Sequence, residues 1–129
     1  MKQTVLIVLL ALALVACGET SAATGEQTIR TYADTMKAGD LTKARTLLSN
    51  TSIDWKETNE RMLDHGVASY AVENLAQNEI GYTATIRWTM RDDSKPFCSY
   101  VRVRRDTGAL EMVKDGTYIC SDAVPTIVQ

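Results

Sequence analysis

The chain has little from which to build a metal centre. It carries one histidine and three cysteines in 129 residues, with no C-x-x-C or H-x-x-x-H spacing. A tetrahedral nitrogen and sulfur set of the kind zinc takes is therefore not expected, and no cofactor is called for. An excess of positive charge is also missing: 14 basic residues stand against 16 acidic ones, a formal charge of -2. Counterion release from nucleic acid cannot then be a main driving force, and nucleic acid is not an expected partner. Nor is there a run of about 18 apolar residues, the length that crosses a bilayer as a helix. What is present is an ordinary globular composition, 45% hydrophobic and 23% charged, in a length that supports one domain.

The longest apolar run, VLIVLLALALVA at 5–16, follows a minimal basic start at Lys2 and ends in small residues. That is the layout of a secretory signal peptide. An ordinary signal ends in small residues at both -3 and -1, whereas Leu14-Val15-Ala16-Cys17 puts a branched aliphatic at -3 and cysteine at +1. This resembles the lipobox of bacterial lipoproteins. The resemblance implies that residues 1–16 are removed, that the Cys17 sulfur takes a diacylglycerol, and that the new amino terminus is acylated, so that the bilayer itself is a partner. Gly18, where aspartate would retain a lipoprotein in the inner membrane, implies the outer membrane of a Gram-negative host, facing the periplasm. The alternative is a cytosolic protein with a buried N-terminal helix. That run, however, shows no amphipathic period and has little to bury against in so small a domain.

Residues 17–25 then read as the lipidated cysteine and a flexible tether, and 26–129 as a single domain. Thr24 and Gln27 have capping-box spacing, and Ile29, Tyr32, Ala33 and Met36 form a helical stripe. Ala38-Gly39-Asp40 breaks that helix and starts a second, whose Leu41, Ala44, Leu47 and Leu48 share a face. A third is expected from Asp54, with Glu57 completing a capping box, Trp55, Met62 and Leu63 on its apolar side, and Gly66 at its end. Beyond Val67 the period becomes two. Tyr82, Ala84, Ile86, Trp88 and Met90 alternate with threonines and arginines over 82–91; Phe97, Val101 and Val103, then Leu110 and Met112, continue the pattern after turns, and a weaker strand covers 68–75. The expected fold is α+β, with N-terminal helices on one face of a curved antiparallel sheet of about four strands.

The stretch YADTMKAGDLTKARTLLS at 32–49 resembles the opening of nuclear transport factor 2-like, or cystatin-like cone, domains, especially small bacterial lipoproteins. The mature chain is short for that family, which implies a cone that is shallow or lacks a strand. Some members are isomerases or dehydratases with an acid or base and a tyrosine facing into the cone, and Asp34 with Tyr32, Tyr70, Tyr82 and Tyr100 supplies those residue types. Asp34 falls off the Ile29/Ala33/Met36 stripe, however, and reads more simply as a solvated residue, as the tyrosines read as packing. His65, beside Gly66, fits a helix C-terminus. A non-catalytic protein is expected.

Two constellations remain. Arg87, Arg91, Arg102 and Arg104, joined by Arg105, make a possible basic patch, with Arg87 and Arg102 on the sheet face away from the helices; it is either a solvated face or a site for an acidic partner. In an exported chain Cys98 and Cys120 are an even pair in an oxidising compartment, which points to a disulfide, two reduced thiols being the alternative. Pairing Val103 with Leu110 and Val101 with Met112 sets Cys98 opposite Asp115, roughly 16 Å from Cys120 on a straight strand, beyond a disulfide's reach. A kink at Asp115-Gly116 that folds Thr117 to Cys120 back over the start of the preceding strand would resolve the conflict. The functional expectation is a membrane-anchored envelope lipoprotein binding a small ligand or a protein. A small assembly factor, a hydrolase inhibitor and a cone-fold enzyme are the alternatives.

Overall fold

The structure is a computed structural model and describes residues 21–120. Cys17, and with it the signal and lipidation reading, lies outside the described residues. Three helices come first: α1 (Ala22–Lys37), α2 (Leu41–Thr46) and α3 (Ile53–Asp64). Four strands follow: β1 (Val67–Gln77), β2 (Gly81–Met90), β3 (Phe97–Arg104) and β4 (Leu110–Ile119). They form one open antiparallel sheet in the order β1-β2-β3-β4, and the fold is α+β with a curved sheet, as the change of period implied.

Two helix starts differ from expectation. The hydroxyl of Ser21, not of Thr24, caps α1 by accepting the Thr24 N–H at 3.2 Å. Ala22 and Ala23, strong helix formers, then extend the helix into the segment read as tether. Likewise Ser52, not Asp54, caps α3, accepting the Asp54 N–H at 3.1 Å. Asp40 caps α2 as expected. The stripe of α1 is the expected one, Ile29, Tyr32, Ala33 and Met36 all being fully buried.

These side chains meet Ala84, Ile86, Trp88, Val101 and Val103 of the sheet. Trp55 and Trp88 lie at the centre with Tyr32, each no more than 1% exposed. The Trp55 indole N–H donates to the Tyr32 hydroxyl at 3.0 Å, and burial pushes the Tyr32 phenol well above its ordinary pKa. The space between helices and sheet is thus filled with side chains. On the opposite face, Thr83 and Thr85 are buried although alternation assigns them to solvent. They lie opposite Arg102 and Tyr100, long side chains beside short ones.

The main irregularity is in β4. Its start pairs Val103 with Leu110 and Val101 with Met112, but its end pairs Ser99 with Thr117 and Cys98 with Tyr118, so residues 113–116 all face Tyr100. The kink foreseen at Asp115-Gly116 is therefore a wide bulge that advances the register by three residues, after which the strand goes on pairing rather than folding back. It brings the Cα atoms of Cys98 and Cys120 to 5.0 Å, and the two sulfurs are bonded. A loop of this length contributes about 3 kcal/mol in the chain-entropy model.

Gly116, at φ +90°, adopts a conformation other residues avoid, and a Cβ there would meet the Thr58 hydroxyl at 2.5 Å. The bulge is thus pressed against α3. A buried polar chain fastens it. The Thr117 N–H donates to Thr58 Oγ1 at 2.9 Å, and the Thr117 hydroxyl donates to Asn59 Oδ1 at 2.9 Å. That uses the only Thr117 hydroxyl proton, so in the 2.5 Å contact Ser99 is the donor, and Ser99 in turn accepts the Trp88 indole N–H at 2.9 Å. Asn59 completes the chain by donating to the Trp55 carbonyl at 2.7 Å. Ser99, Asn59 and Thr117 are at most 2% exposed.

Thr117→Val keeps the shape but leaves the Ser99 proton and Asn59 Oδ1 unpaired. It should cost about 2–4 kcal/mol by chemical denaturation; a loss under about 0.5 kcal/mol would mean the chain does not fasten the bulge.

Candidate functional site

The arginines are not brought together as one patch. Arg87 and Arg102 do share the face away from the helices, but Arg87 lies opposite Cys98 and Arg102 opposite Thr83, four positions along β2, or about 13 Å. Arg102 donates to Glu111 Oε2 from Nε at 3.1 Å and from Nη2 at 2.7 Å, directly across β4. Arg104 binds both oxygens of Asp106 at 3.1 Å and approaches Glu111 at 3.7 Å. Asp106, first among its neighbours, raises the Arg104 pKa, and Arg104 lowers that of Asp106. Arg105 instead donates to the Asn78 carbonyl at 2.6 Å and sits over the Tyr82 ring. Arg91 lies past the end of β2, its N–H on the Gly66 carbonyl at 2.8 Å. Of the five arginines, Arg102 and Arg104 are thus paired with acids of their own hairpin, and their contacts with Glu111 tie β3 to β4.

His65 is not alone. It closes the C-terminus of α3, as expected, and its Nδ1 lies 2.6 Å from Asp92 Oδ2 and 3.1 Å from Ser94 Oγ, with the ring tilted on Phe97. Serine, histidine and aspartate are the residue types of a nucleophilic triad. Such a triad needs the hydroxyl on one ring nitrogen and the carboxylate on the other. Here both meet Nδ1, so the imidazole cannot relay a proton between them. Asp92 also accepts the Ser94 N–H at 3.1 Å, closing an Asx turn. The cluster ties α3 to the β2–β3 turn. The D-x-S spacing of that turn was the available signal; its meeting with His65 had none.

Asp34 is exposed and accepts the Tyr70 hydroxyl at 2.6 Å. Partial burial, then Asp34, raise the Tyr70 pKa. The other tyrosines are dispersed: Tyr32 is in the core, Tyr82 faces the helices, and Tyr100 is on the far side of the sheet. Of the four phenols only Tyr70 is placed beside Asp34, so the acid and the tyrosines are not gathered at one point. An open cleft of about 550 Å³ lies between α2 and the start of α3, lined by Arg45 and by Lys56, Glu57 and Glu60 of α3 beside an exposed Ile53. Among the described residues no three metal-ligating side chains converge, and no helix is long and apolar enough to cross a membrane. Compared with protein-family models, curated proteins and solved structures, the chain matches none.

The His65 cluster has a pH signature. Hydrogen bonds from Ser94, then the His65 contact, hold the Asp92 carboxyl at about 2, below its ordinary 3.8. A depressed folded-state pKa contributes stability above the unfolded value and loses it as pH falls from about 4 through about 2. Asp92→Asn should flatten that part of a plot of melting temperature against pH; an unchanged acid limb would show that the clamp contributes nothing.

Proposed function

We propose that this chain is an envelope lipoprotein, held in the outer membrane by acylated Cys17 and serving as a non-catalytic binding or accessory module. The observation that carries the reading is Leu14-Val15-Ala16-Cys17 at the end of the apolar run 5–16. The Cys98–Cys120 bond supports it, since disulfides persist in exported domains and are rare in the cytosol. Two or more acyl chains anchor a protein firmly, where one gives marginal binding.

The cap at Ser21 shortens the tether. Only Gly18, Glu19 and Thr20 separate Cys17 from Ser21, the cap of α1, which limits the distance between Cys17 and Ser21 to about 14 Å. The domain is then held close to the bilayer. Helices followed by an antiparallel meander support a likeness to the nuclear transport factor 2-like cone. With Tyr32, Trp55 and Trp88 occupying the space that a cone ligand would need, a protein partner on an outer surface is favoured over an enclosed small molecule. Asp34 on the rim, and Asp92 and Ser94 sharing one nitrogen of His65, support a role without chemistry.

Cys17→Ser should abolish labelling by an alkyne fatty acid and leave the precursor uncut, while the wild type labels and fractionates with the outer membrane. Labelling unchanged by the substitution would contradict the anchor.

A further inference from the structure

The two edges of the sheet differ. Along β4 the chain covers its own edge: Ser49 donates to the Leu110 carbonyl from its N–H at 2.8 Å and its hydroxyl at 3.1 Å, Asn50 accepts the Met112 N–H and donates to its carbonyl, and Thr58 takes the Thr117 N–H. Along β1 nothing comparable occurs. Alternate residues of an edge strand turn their N–H and C=O groups outward, yet among the described residues no hydrogen bond except the ladder to β2 reaches the backbone of residues 68–76. β1 also lacks the usual blocking residues, with one charge, Glu73, and no lysine, arginine or proline. Bulges interrupt it between Val67 and Ser69 and between Glu73 and Ala76. The regular, open part is therefore 69–73, and its midpoint is Ala71.

We propose that this edge pairs with the same edge of a second copy, antiparallel about a two-fold axis through Ala71, giving a continuous eight-stranded sheet. The chemistry of the five residues selects a second copy. In this register Tyr70 meets Val72 of the other copy, twice, and Ser69 meets Glu73. Tyr70 and Val72 are on the helix face, partly buried against the core, so the pairing continues the apolar layer from one domain into the next. The Tyr70 ring is already oriented by its hydrogen bond to Asp34 and by Trp88, its ring centroid 5.7 Å away. A two-fold at Glu73 would instead oppose two carboxylates, and one at Val72 would set Tyr70 against Asn74. An axis through Ala71 is normal to the sheet, so both α1 helices lie on the same face and both copies of Ser21 emerge on one side. Two chains anchored in one bilayer require this, a compatibility that rests on the anchoring proposed above, whereas the pairing itself does not.

The full chain, extracted from the envelope in mild detergent, provides the test. Ala71 is exposed, and at the axis its Cα lies about 4.5–5.5 Å from its own copy, within disulfide range. Ala71→Cys should give a disulfide-linked dimer on a non-reducing gel, and Thr89→Cys, exposed on the next strand, should not. The register is tested at Ser69. Ser69→Glu sets a carboxylate against Glu73 and should weaken the dimer measured by sedimentation about three- to tenfold, while Ser69→Lys should tighten it to a similar degree. The proposal is overturned by a monomer from Ala71→Cys, by cross-linking that is equal at Thr89→Cys, by an Ala71→Cys adduct with a different protein, or by the two Ser69 variants shifting the equilibrium alike. All four chains should melt as the wild type does, since these sites are exposed. Loss of the dimer with intact Cys17 labelling would sink the pairing and leave the anchor standing.

Discussion

The hydrogen bonds that converge on Thr117 hold β4 in two registers at once. Before the bulge the strand pairs with β3 as the hairpin turn dictates; after it, the pairing has advanced by three residues. Those residues need a place, and they have one because Gly116 turns against Thr58 while Thr117 is gripped through its N–H by Thr58 and through its hydroxyl by Asn59. A single buried hydrogen bond contributes only about 1 kcal/mol net, but leaving its partners unpaired costs about 1–3 kcal/mol each. The network therefore acts mainly against other registers, since any slip of the strand orphans several buried groups together.

Much else follows from that arrangement. It docks α3 on β4 through Thr58 and Asn59, and links α3 to the centre of the sheet through Ser99 and Trp88. It also carries Cys120 to Cys98, a pairing the regular ladder forbids. At the same time Ser49, Asn50 and Thr58 bond the β4 edge at Leu110, Met112 and Thr117, while among the described residues no such bond reaches the β1 edge at 68–76. The helices press Tyr32 and Trp55 into the space over Trp88. In a domain filled in this way the proposed recognition falls to the outer surfaces, such as the β1 edge; Ile53, 76% exposed, is another apolar point there.

Element order and core were legible because they rest on local periodicity. The α1 stripe, the Asp40 cap and the alternation of β2 are each set within a few residues. Helix starts were less so, because Ser21 and Thr24 each precede a helix-forming stretch and the nearer capping box does not say which begins it. The three-residue bulge was legible only through a contradiction between the cysteine count and a straight strand; Asp115-Gly116 marked its place but not its width. The shared outer face of Arg87 and Arg102 was legible from alternation, whereas the acids beside the arginines were not, for a physical reason: Arg102 and Arg104 meet Glu111 and Asp106 only once the β3–β4 hairpin is formed. The pairing of Asp92 and Ser94 on a single nitrogen of His65 depends on the distance between a helix end and a turn 27 residues apart, which no local pattern encodes.

The proposed role is that of a short-tethered envelope lipoprotein whose disulfide-stapled domain works through its surface; the stability of that domain depends on the register of β4. The most direct measurement is native-state hydrogen exchange at the Thr117 amide. Bonded to a buried hydroxyl rather than to a neighbouring strand, it should exchange only through global unfolding, with the same protection as the amides at the centre of β2 and β3. Exchange at the rate of a surface turn, with β2 and β3 still protected, would show that the bulge opens by itself and that the fold does not depend on it.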